Sequence, residues 1–215
     1  MDLNKINFVN FPESEYHREI TEKFQLIYHH TVSGGDALGD ANYFKNKPGK
    51  IATHFIVGRE GEIVQCFNGK YYGRHLGIKQ SVFNMYQITN TNNLGLDKHS
   101  IGIELDSYGP LTMKDGQLYT AYNTKFVGEY VKYDRPFRGY TYYEKYTKNQ
   151  LKAVKELSLH LCKTYNIPTK YQGGIFEINL RALKGEPGIW THVSFRDDKS
   201  DCHPQVELLS MLSNL

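Results

Sequence analysis

The chain has 215 residues, of which 40% are hydrophobic and 23% are charged. This composition is typical of a folded globular domain and excludes a long disordered segment, a coiled-coil rod or a collagen-like fibre. The net charge of +3 is too small to indicate a nucleic-acid-binding protein, which would carry a clustered basic surface. We therefore expect an ordinary folded protein with no nucleic-acid partner.

Cysteine use and the N-terminus indicate where the chain is made. Cys66, Cys162 and Cys202 are an odd number without a Cys-x-x-Cys motif, which favours a reducing compartment over a secreted disulfide framework. The opening residues, 1–7, lack the basic start and apolar stretch of a secretory signal. No apolar run approaches the ~20 residues of a membrane span. We expect synthesis in the cytoplasm without a signal peptide, and no membrane span.

The first elements of the chain predict a strand followed by a helix. Residues 24–30 form an aromatic and β-branched run, which predicts a buried strand with His29 and His30 at its end. Apolar residues then recur at helical spacing over 37–47, and Pro48 provides a normal helix terminator.

A hairpin and a loop are predicted next. Residues 54–58 and 62–66 are two apolar runs that flank a polar turn containing glycine, which indicates a β-hairpin. Residues 80–98 are rich in asparagine and threonine, and this composition predicts a surface loop.

The run 100–106 alternates apolar residues with glycine and acids, which predicts a strand with one apolar face. Because alternate side chains in a strand point to opposite faces, Glu104 is predicted to face solvent or a cleft. Further on, Thr147 and Gln150 form a capping-box pattern at the start of a long amphipathic helix that ends near Asn166. A last short helix is predicted over 205–212.

Residues 119–146 hold eight of the 17 tyrosines. Tyrosine has a flat apolar face and a polar tip, so such a cluster either stacks on sugar rings or peptide, or packs as a hairpin on the core. Of these interpretations we favour packing. No repeat or linker divides the sequence, and we predict a single domain over 1–215 with an insertion at about residues 107–146.

The histidines of the chain raise the question of a metal site. The His-Glu-x-x-His motif, the phosphate-binding glycine loop and the Gly-x-Ser-x-Gly nucleophile elbow are missing from the sequence. Two groups of donors remain, His29 with His30 at the strand end and the segment 191–204. Together they hold enough nitrogen, oxygen and sulfur donors for a zinc ion with three protein ligands and one open position.

Several segments, taken in order, resemble the zinc-dependent N-acetylmuramoyl-L-alanine amidases of the type-2 group, which are related to peptidoglycan recognition proteins. The resemblance covers most of the chain and rests on the runs LIYHHT (26–31), ATHFIV (52–57), EGEIVQ (60–65), RHLG (74–77) and SIGIE (100–104), and on His192 with KSD (199–201). It implies an α/β fold in which helices flank a central mixed β-sheet, with Zn²⁺ in a surface groove.

The resemblance implies that His29, His192 and Asp201 are the zinc ligands and that His30 is a neighbour. The family usually has proline directly after its third ligand, whereas here Pro204 stands two residues further along than expected. This departure leaves Cys202 or His203 as alternatives to Asp201, since a thiolate is also a good zinc ligand.

The resemblance also assigns roles to residues around the metal. Glu104 matches the carboxylate that transfers protons between the attacking water and the departing amine. Lys199 is placed to stabilise the oxyanion of the tetrahedral intermediate. His75 matches a histidine near the substrate cleft, so we predict that it contacts substrate. His54 is expected to be a structural residue inside the sheet.

The implied activity is zinc-dependent hydrolysis of the amide bond between N-acetylmuramic acid and L-alanine in peptidoglycan. We predict a monomeric enzyme of the phage endolysin type, which reaches the bacterial cell wall after release from the cell. Three alternatives remain open at this point. One is a cytosolic amidase that acts on free muropeptides, and another is a recognition module that binds peptidoglycan without cleaving it. The third is a related zinc amidase that acts on some other amide.

Overall fold

The computed structural model describes residues 6–47 and 49–215, so the predicted helix terminator Pro48 lies outside the described residues. Ten strands are found there: β1 (Ile6–Phe8), β2 (Gln25–Val32), β3 (Phe55–Val57), β4 (Ile63–Gln65), β5 (Ser100–Ser107), β6 (Pro110–Lys114), β7 (Gln117–Tyr119), β8 (Tyr130–Phe137), β9 (Tyr140–Glu144) and β10 (Gly188–Thr191). The α-helices are α1 (Ala37–Lys45), α2 (Gln80–Met85), α3 (Asn93–Lys98), α4 (Lys148–Tyr165), α5 (Leu180–Leu183) and α6 (Val206–Ser213). Over these described ranges, each helix is too short or too polar to cross a membrane.

A six-stranded mixed sheet forms the centre of the fold, in the order β1-β4-β3-β5-β2-β10. The pair β3 and β4 is antiparallel and is the predicted hairpin, whereas the remaining neighbours pair in parallel. Parallel strands need crossover connections, and helices supply several of them. The predicted α/β class with a central mixed sheet is confirmed.

Helix α4 covers one face of this sheet. Its buried stripe packs into the main hydrophobic cluster with residues of β2 and β5, and its members are Leu151, Val154, Leu157 and Leu161. The predicted capping box is only half formed. The Thr147 side chain accepts a hydrogen bond from the Gln150 amide, but the Gln150 side chain donates to the carbonyls of Val57 and Asp106 instead of returning to Thr147. Gln150 thus ties the helix to strands β3 and β5.

The prediction of a surface loop over 80–98 is wrong, because this segment contains helices α2 and α3. Each helix has six residues and is too short to show a helical period. Phe83 and Leu96 are buried in the main core, and the Asn92 side chain caps α3 by accepting from the Gly95 amide. Burial and capping therefore stabilise helices in a sequence whose composition indicates a loop.

A second sheet of four antiparallel strands, in the order β7-β6-β9-β8, contains most of the tyrosine-rich segment. Tyr143 and Tyr146 are fully buried, as the packing interpretation predicts, whereas Tyr122 and Tyr140 are 62% and 42% exposed. The end of β9 is joined to the central sheet through Arg59, whose guanidinium forms ion pairs of 2.8 Å with both Glu144 and Asp106.

Candidate metal and catalytic centre

A cleft of about 900 Å³ opens near the carboxyl-terminal ends of the parallel strands β2, β5 and β10. Its lining includes His29, Glu104 and His192 from the central sheet region and Lys199 and Asp201 from the C-terminal loop. The cleft therefore gathers the residues predicted to bind metal and to carry out chemistry, although they are far apart in the sequence.

Three of these residues could hold a metal ion. His29 lies on β2, His192 begins the short 3₁₀ turn that follows β10, and Asp201 lies nine residues beyond. One ligand atom from each lies within 4.8 Å of the other two. The Asp201 Oδ2 atom is 2.8 Å from His192 Nδ1 and 3.7 Å from His29 Nδ1. All three side chains are buried.

The distal nitrogens of both histidines are occupied by other protein groups. His192 Nε2 is 2.9 Å from the carbonyl oxygen of Leu76, and His29 Nε2 is 3.0 Å from His75 Nδ1. The Nδ1 atoms are left facing Asp201. Metal-ligating histidines typically use one ring nitrogen for the metal and the other for such a hydrogen bond, so the donor set fits a bound cation.

Charge in the cluster is also suited to a cation. Burial, together with the neighbouring imidazoles of His192 and His75, holds the pKa of His29 well below its ordinary value, so the ring is neutral. Burial alone would raise the pKa of Asp201, but the adjacent His192 ring outweighs this effect and keeps that carboxyl ionised. Neutral imidazole and carboxylate are the protonation states that bind a metal ion.

The alternatives considered for the third ligand are turned away from this cluster. Cys202 donates its thiol hydrogen to the carbonyl oxygen of His29 at 3.2 Å, and burial raises the pKa of the thiol well above its ordinary range. His203 is hydrogen-bonded at both ring nitrogens, to the Tyr133 hydroxyl and the Glu144 carbonyl. Within 191–204, Asp201 is the residue whose carboxylate lies close to both His29 Nδ1 and His192 Nδ1.

Glu104 lies on β5 beside the cluster and is 8% exposed. Its Oε2 atom accepts a hydrogen bond from the Thr31 hydroxyl at 3.3 Å. Burial, followed by the nearby charge of Asp201, raises the pKa of Glu104 to about 8. A carboxyl with a pKa near neutrality is suited to both accepting and donating a proton. Lys199 is half-buried and lines the same cleft.

His75 lines the cleft, and both of its ring nitrogens have protein partners, while its contact with substrate stays a prediction. Nδ1 faces His29, and Nε2 is 2.9 Å from the Ser100 hydroxyl. Burial lowers the pKa of His75 to about 3. His54 is structural, as expected, because its ring bonds to the Gly102 amide and the Tyr71 carbonyl.

Helix α1 contributes cleft residues that the sequence reasoning missed. Asp40, Tyr43, Phe44 and Lys47 line the cleft. Asp40, Tyr43 and Phe44 follow the i, i+3, i+4 spacing of one helix face, which is the available signal, and Lys47 lies two residues beyond the end of α1. Tyr43 is 65% exposed, whereas the small Ala41 is buried.

The fold and the site together define an α/β protein with a buried His-His-Asp cluster that could hold a metal ion. The family model described as N-acetylmuramoyl-L-alanine amidase matches residues 24–204. The chain therefore belongs to the N-acetylmuramoyl-L-alanine amidase family, and its activity is that of an amidase acting on peptidoglycan.

Solved structures of similar fold are found among amidases and endolysins. The structure of PlyL has a TM-score of 0.55 at 13% identity, with 97% of this chain and 95% of that chain covered. The amidase LysC from Clostridium intestinale URNW has a TM-score of 0.52 at 14% identity, with coverage of 98% and 96%. An AmpD derivative has a TM-score of 0.54 at 16% identity, with coverage of 97% and 95%. A search of curated proteins finds no match to the chain.

Proposed function

We propose that the chain is a zinc-dependent enzyme that hydrolyses the amide bond between the lactyl group of N-acetylmuramic acid and the first L-alanine of the stem peptide. The observation that carries this proposal is the meeting of His29, His192 and Asp201 within 4.8 Å at a cleft, beside the buried carboxyl of Glu104. Three protein ligands with space for a further one are typical of catalytic zinc rather than structural zinc.

The residues present suit zinc better than a harder cation. Two imidazole nitrogens and one carboxylate oxygen match zinc, whereas calcium and magnesium prefer sites built from oxygen. When bound, zinc acts as a Lewis acid that lowers the pKa of water and polarises a carbonyl group. His29, His192 and Asp201 would hold it.

Glu104 is the proposed general base and general acid. Its carboxylate takes a proton from the attacking water and later delivers a proton to the nitrogen of the departing L-alanine. Thr31 donates a hydrogen bond to Oε2 at 3.3 Å and so restricts the direction of the carboxyl group.

Lys199 is the proposed electrostatic group for the oxyanion. Its ammonium lines the cleft only two residues from Asp201, so a carbonyl oxygen next to the metal ligands lies within its field. Positive charge directed at an oxygen that becomes negative during reaction stabilises the transition state more than the substrate.

We propose that the substrate is the intact cell-wall polymer, as expected of an endolysin-type enzyme. Exposed Tyr43, Tyr122 and Tyr140 line the cleft with the metal ligands, and aromatic faces provide stacking surfaces for sugar rings. Tyr122 and Tyr140 belong to the tyrosine-rich part of the proposed insertion at 107–146 within a single catalytic domain. The proposed enzyme is a monomer made in the cytoplasm that acts on the wall after release.

The experiment is product analysis after incubation of the zinc-loaded protein with purified sacculi and, separately, with soluble muropeptides. New L-alanine amino termini from sacculi support the proposed reaction and substrate. Cleavage of soluble muropeptides alone would replace the endolysin role with muropeptide recycling. Binding of sacculi without any new amino termini from a zinc-loaded sample would contradict the proposed reaction.

A further inference from the structure

One short segment, His75-Leu76, contacts both histidines of the metal centre from the side away from Asp201. His75 Nδ1 is 3.0 Å from His29 Nε2, and the Leu76 carbonyl is 2.9 Å from His192 Nε2. Two neighbouring residues thus form the hydrogen bonds to the distal nitrogens of both imidazole ligands. Whatever fixes this segment also fixes the direction of both ligand atoms.

A chain of hydrogen bonds sets the proton positions on His29 and His75. The Ser100 hydroxyl donates to the Leu96 carbonyl at 2.6 Å, so its single hydrogen is already used. Ser100 Oγ must then accept from His75 Nε2 at 2.9 Å. In a neutral imidazole with a proton on Nε2, Nδ1 is an acceptor. His75 Nδ1 therefore accepts from His29 Nε2, and the lone pair of His29 is on Nδ1.

Asp97 holds the backbone of the same segment. Its Oδ1 atom accepts from the amides of both His75 and Leu76 at 3.1 Å, and its Oδ2 atom accepts from the Asn93 side chain at 2.8 Å. Asp97 is fully buried. The hydrogen bonds from these two backbone amides to the buried Asp97 carboxylate fix the position of residues 75–76. They therefore also fix the Leu76 carbonyl oxygen, which accepts from His192 Nε2.

Gly102 makes room for this arrangement on strand β5. A Cβ atom built at this position would lie 2.9 Å from His75 Nδ1 and 2.9 Å from the Thr53 methyl group. Both distances are shorter than real Cβ contacts allow, so a side chain here would displace the His75 ring. The glycine in the Ile-Gly-Ile-Glu run is thus explained by packing behind the metal ligands.

We propose that Ser100 and Asp97 are positioning residues that act through His75-Leu76 to hold His29 and His192 with their Nδ1 lone pairs directed at the metal. Ser100 selects the tautomer of His29 through the His75 ring. Asp97 sets the position of the Leu76 carbonyl that holds His192. This inference rests on the proposed zinc site and extends it to residues that do not touch metal or substrate.

The first test needs no substitution. Nitrogen-15 NMR of the histidine rings in the metal-free wild-type protein at neutral pH reports which nitrogen carries the proton. We expect the proton on Nε2 in both His29 and His75. A proton on Nδ1 of His29 or His75 would overturn the hydrogen-bond chain.

The second test compares zinc affinity, measured by competition with a chromophoric chelator, in Ser100→Ala and Ser158→Ala. Ser158 on α4 is also fully buried, and its hydroxyl forms a hydrogen bond of 2.6 Å with the Tyr28 hydroxyl. It is therefore a matched control. Removing such outer partners of metal ligands typically costs about 10- to 100-fold in affinity. We expect that loss in Ser100→Ala, with a mixture of His29 tautomers, and wild-type affinity in Ser158→Ala.

Asp97→Asn and Asp97→Ala complete the test. Asparagine keeps the oxygen that accepts from the two backbone amides, so we expect it to retain much more zinc affinity than alanine in folded samples. Equal zinc affinity in wild type, Ser100→Ala and Asp97→Ala would overturn the positioning role while leaving the zinc site intact. Failure of the wild-type protein itself to bind zinc would instead refute the proposed function.

Discussion

His29 and Glu104 are directly paired in the parallel register of strands β2 and β5. Paired residues in neighbouring strands present their side chains on the same face of a sheet, so a proposed metal ligand and the proposed proton carrier are held side by side by the backbone hydrogen bonds of the sheet. Thr31, two residues along β2, lies on the same face and bonds to Glu104. The central sheet thus supplies a rigid base for the chemistry.

Replacing Glu104 by glutamine is expected to leave zinc bound and to lower kcat by about 10²-fold or more, because general acid-base transfer contributes on this scale. The measurement is turnover on sacculi together with zinc content. Glu156→Gln is the control, since Glu156 is exposed on α4, and it is expected to retain wild-type turnover. Undiminished turnover in zinc-loaded Glu104→Gln would show that this carboxyl transfers no proton.

Replacing Lys199 by methionine is expected to lower kcat by about 10²-fold with little change in KM, because a charge directed at the oxyanion acts mainly in the transition state. Lys152→Met, at an exposed position of α4, is the control. A rise in KM alone would instead identify Lys199 as a group that binds the ground-state substrate.

The third ligand is tested by comparing Asp201→Asn with Cys202→Ser. Serine retains a donor for the hydrogen bond that Cys202 makes to the His29 carbonyl, so the fold is preserved. We expect Asp201→Asn to lose zinc and activity, and Cys202→Ser to keep both. The reverse pattern in zinc content would assign the ligand to the thiol.

The metal-free protein is expected to show a pH dependence of stability that comes from Glu104. Its pKa rises from 4.5 to about 8 on folding because of burial, so between these values the folded chain holds a proton that the unfolded chain has lost. This contribution is fully present below pH 4.5 and is lost as the pH rises toward 8, with a slope of up to about 1.4 kcal/mol per pH unit.

The comparison for this pH effect is chelator-treated Glu104→Gln, which has no proton to lose at this position. Urea unfolding between pH 5 and pH 8 should show the free energy of unfolding falling more steeply with pH in the wild type than in the variant. Parallel curves for the two proteins would mean that Glu104 titrates normally in the folded chain.

The tyrosines of the cleft are tested with Tyr140→Ala. Loss of a stacking surface is expected to raise KM on intact sacculi several-fold while kcat and activity on small muropeptides change little. Tyr130→Ala is the matched control, because Tyr130 is similarly exposed on the same sheet but is not part of the cleft lining. Equal effects of the two substitutions on KM would remove the proposed role in polymer binding.

Much of the centre could be predicted from local sequence patterns. Alternation over 100–106 places Glu104 on the face opposite Ile101 and Ile103, and the apolar run over 24–30 predicts the strand that carries His29. These predictions succeed because they depend on the two-residue period of a strand. The loop prediction for segment 80–98 is wrong because the short helices there are stabilised by tertiary burial and show no periodicity of their own.

The support behind the ligands could not be predicted, because it depends on contacts between distant parts of the chain. Asp97 follows His75 by 22 residues and lies in a segment whose composition resembles a loop. Similarly, the choice between Asp201 and Cys202 depends on which of two adjacent side chains the backbone directs at His192. The spacing of residues in the sequence does not specify which of these two side chains points toward His192.

The most direct test of the central claim is zinc stoichiometry measured alongside activity in the wild type, His29→Ala and His192→Ala. We expect one zinc per wild-type chain and amidase activity on sacculi that chelation abolishes and zinc restores. We expect each variant to lose both zinc and activity. Full activity in a wild-type sample shown to be free of metal, or zinc bound equally well by His29→Ala and His192→Ala, would contradict the assigned centre.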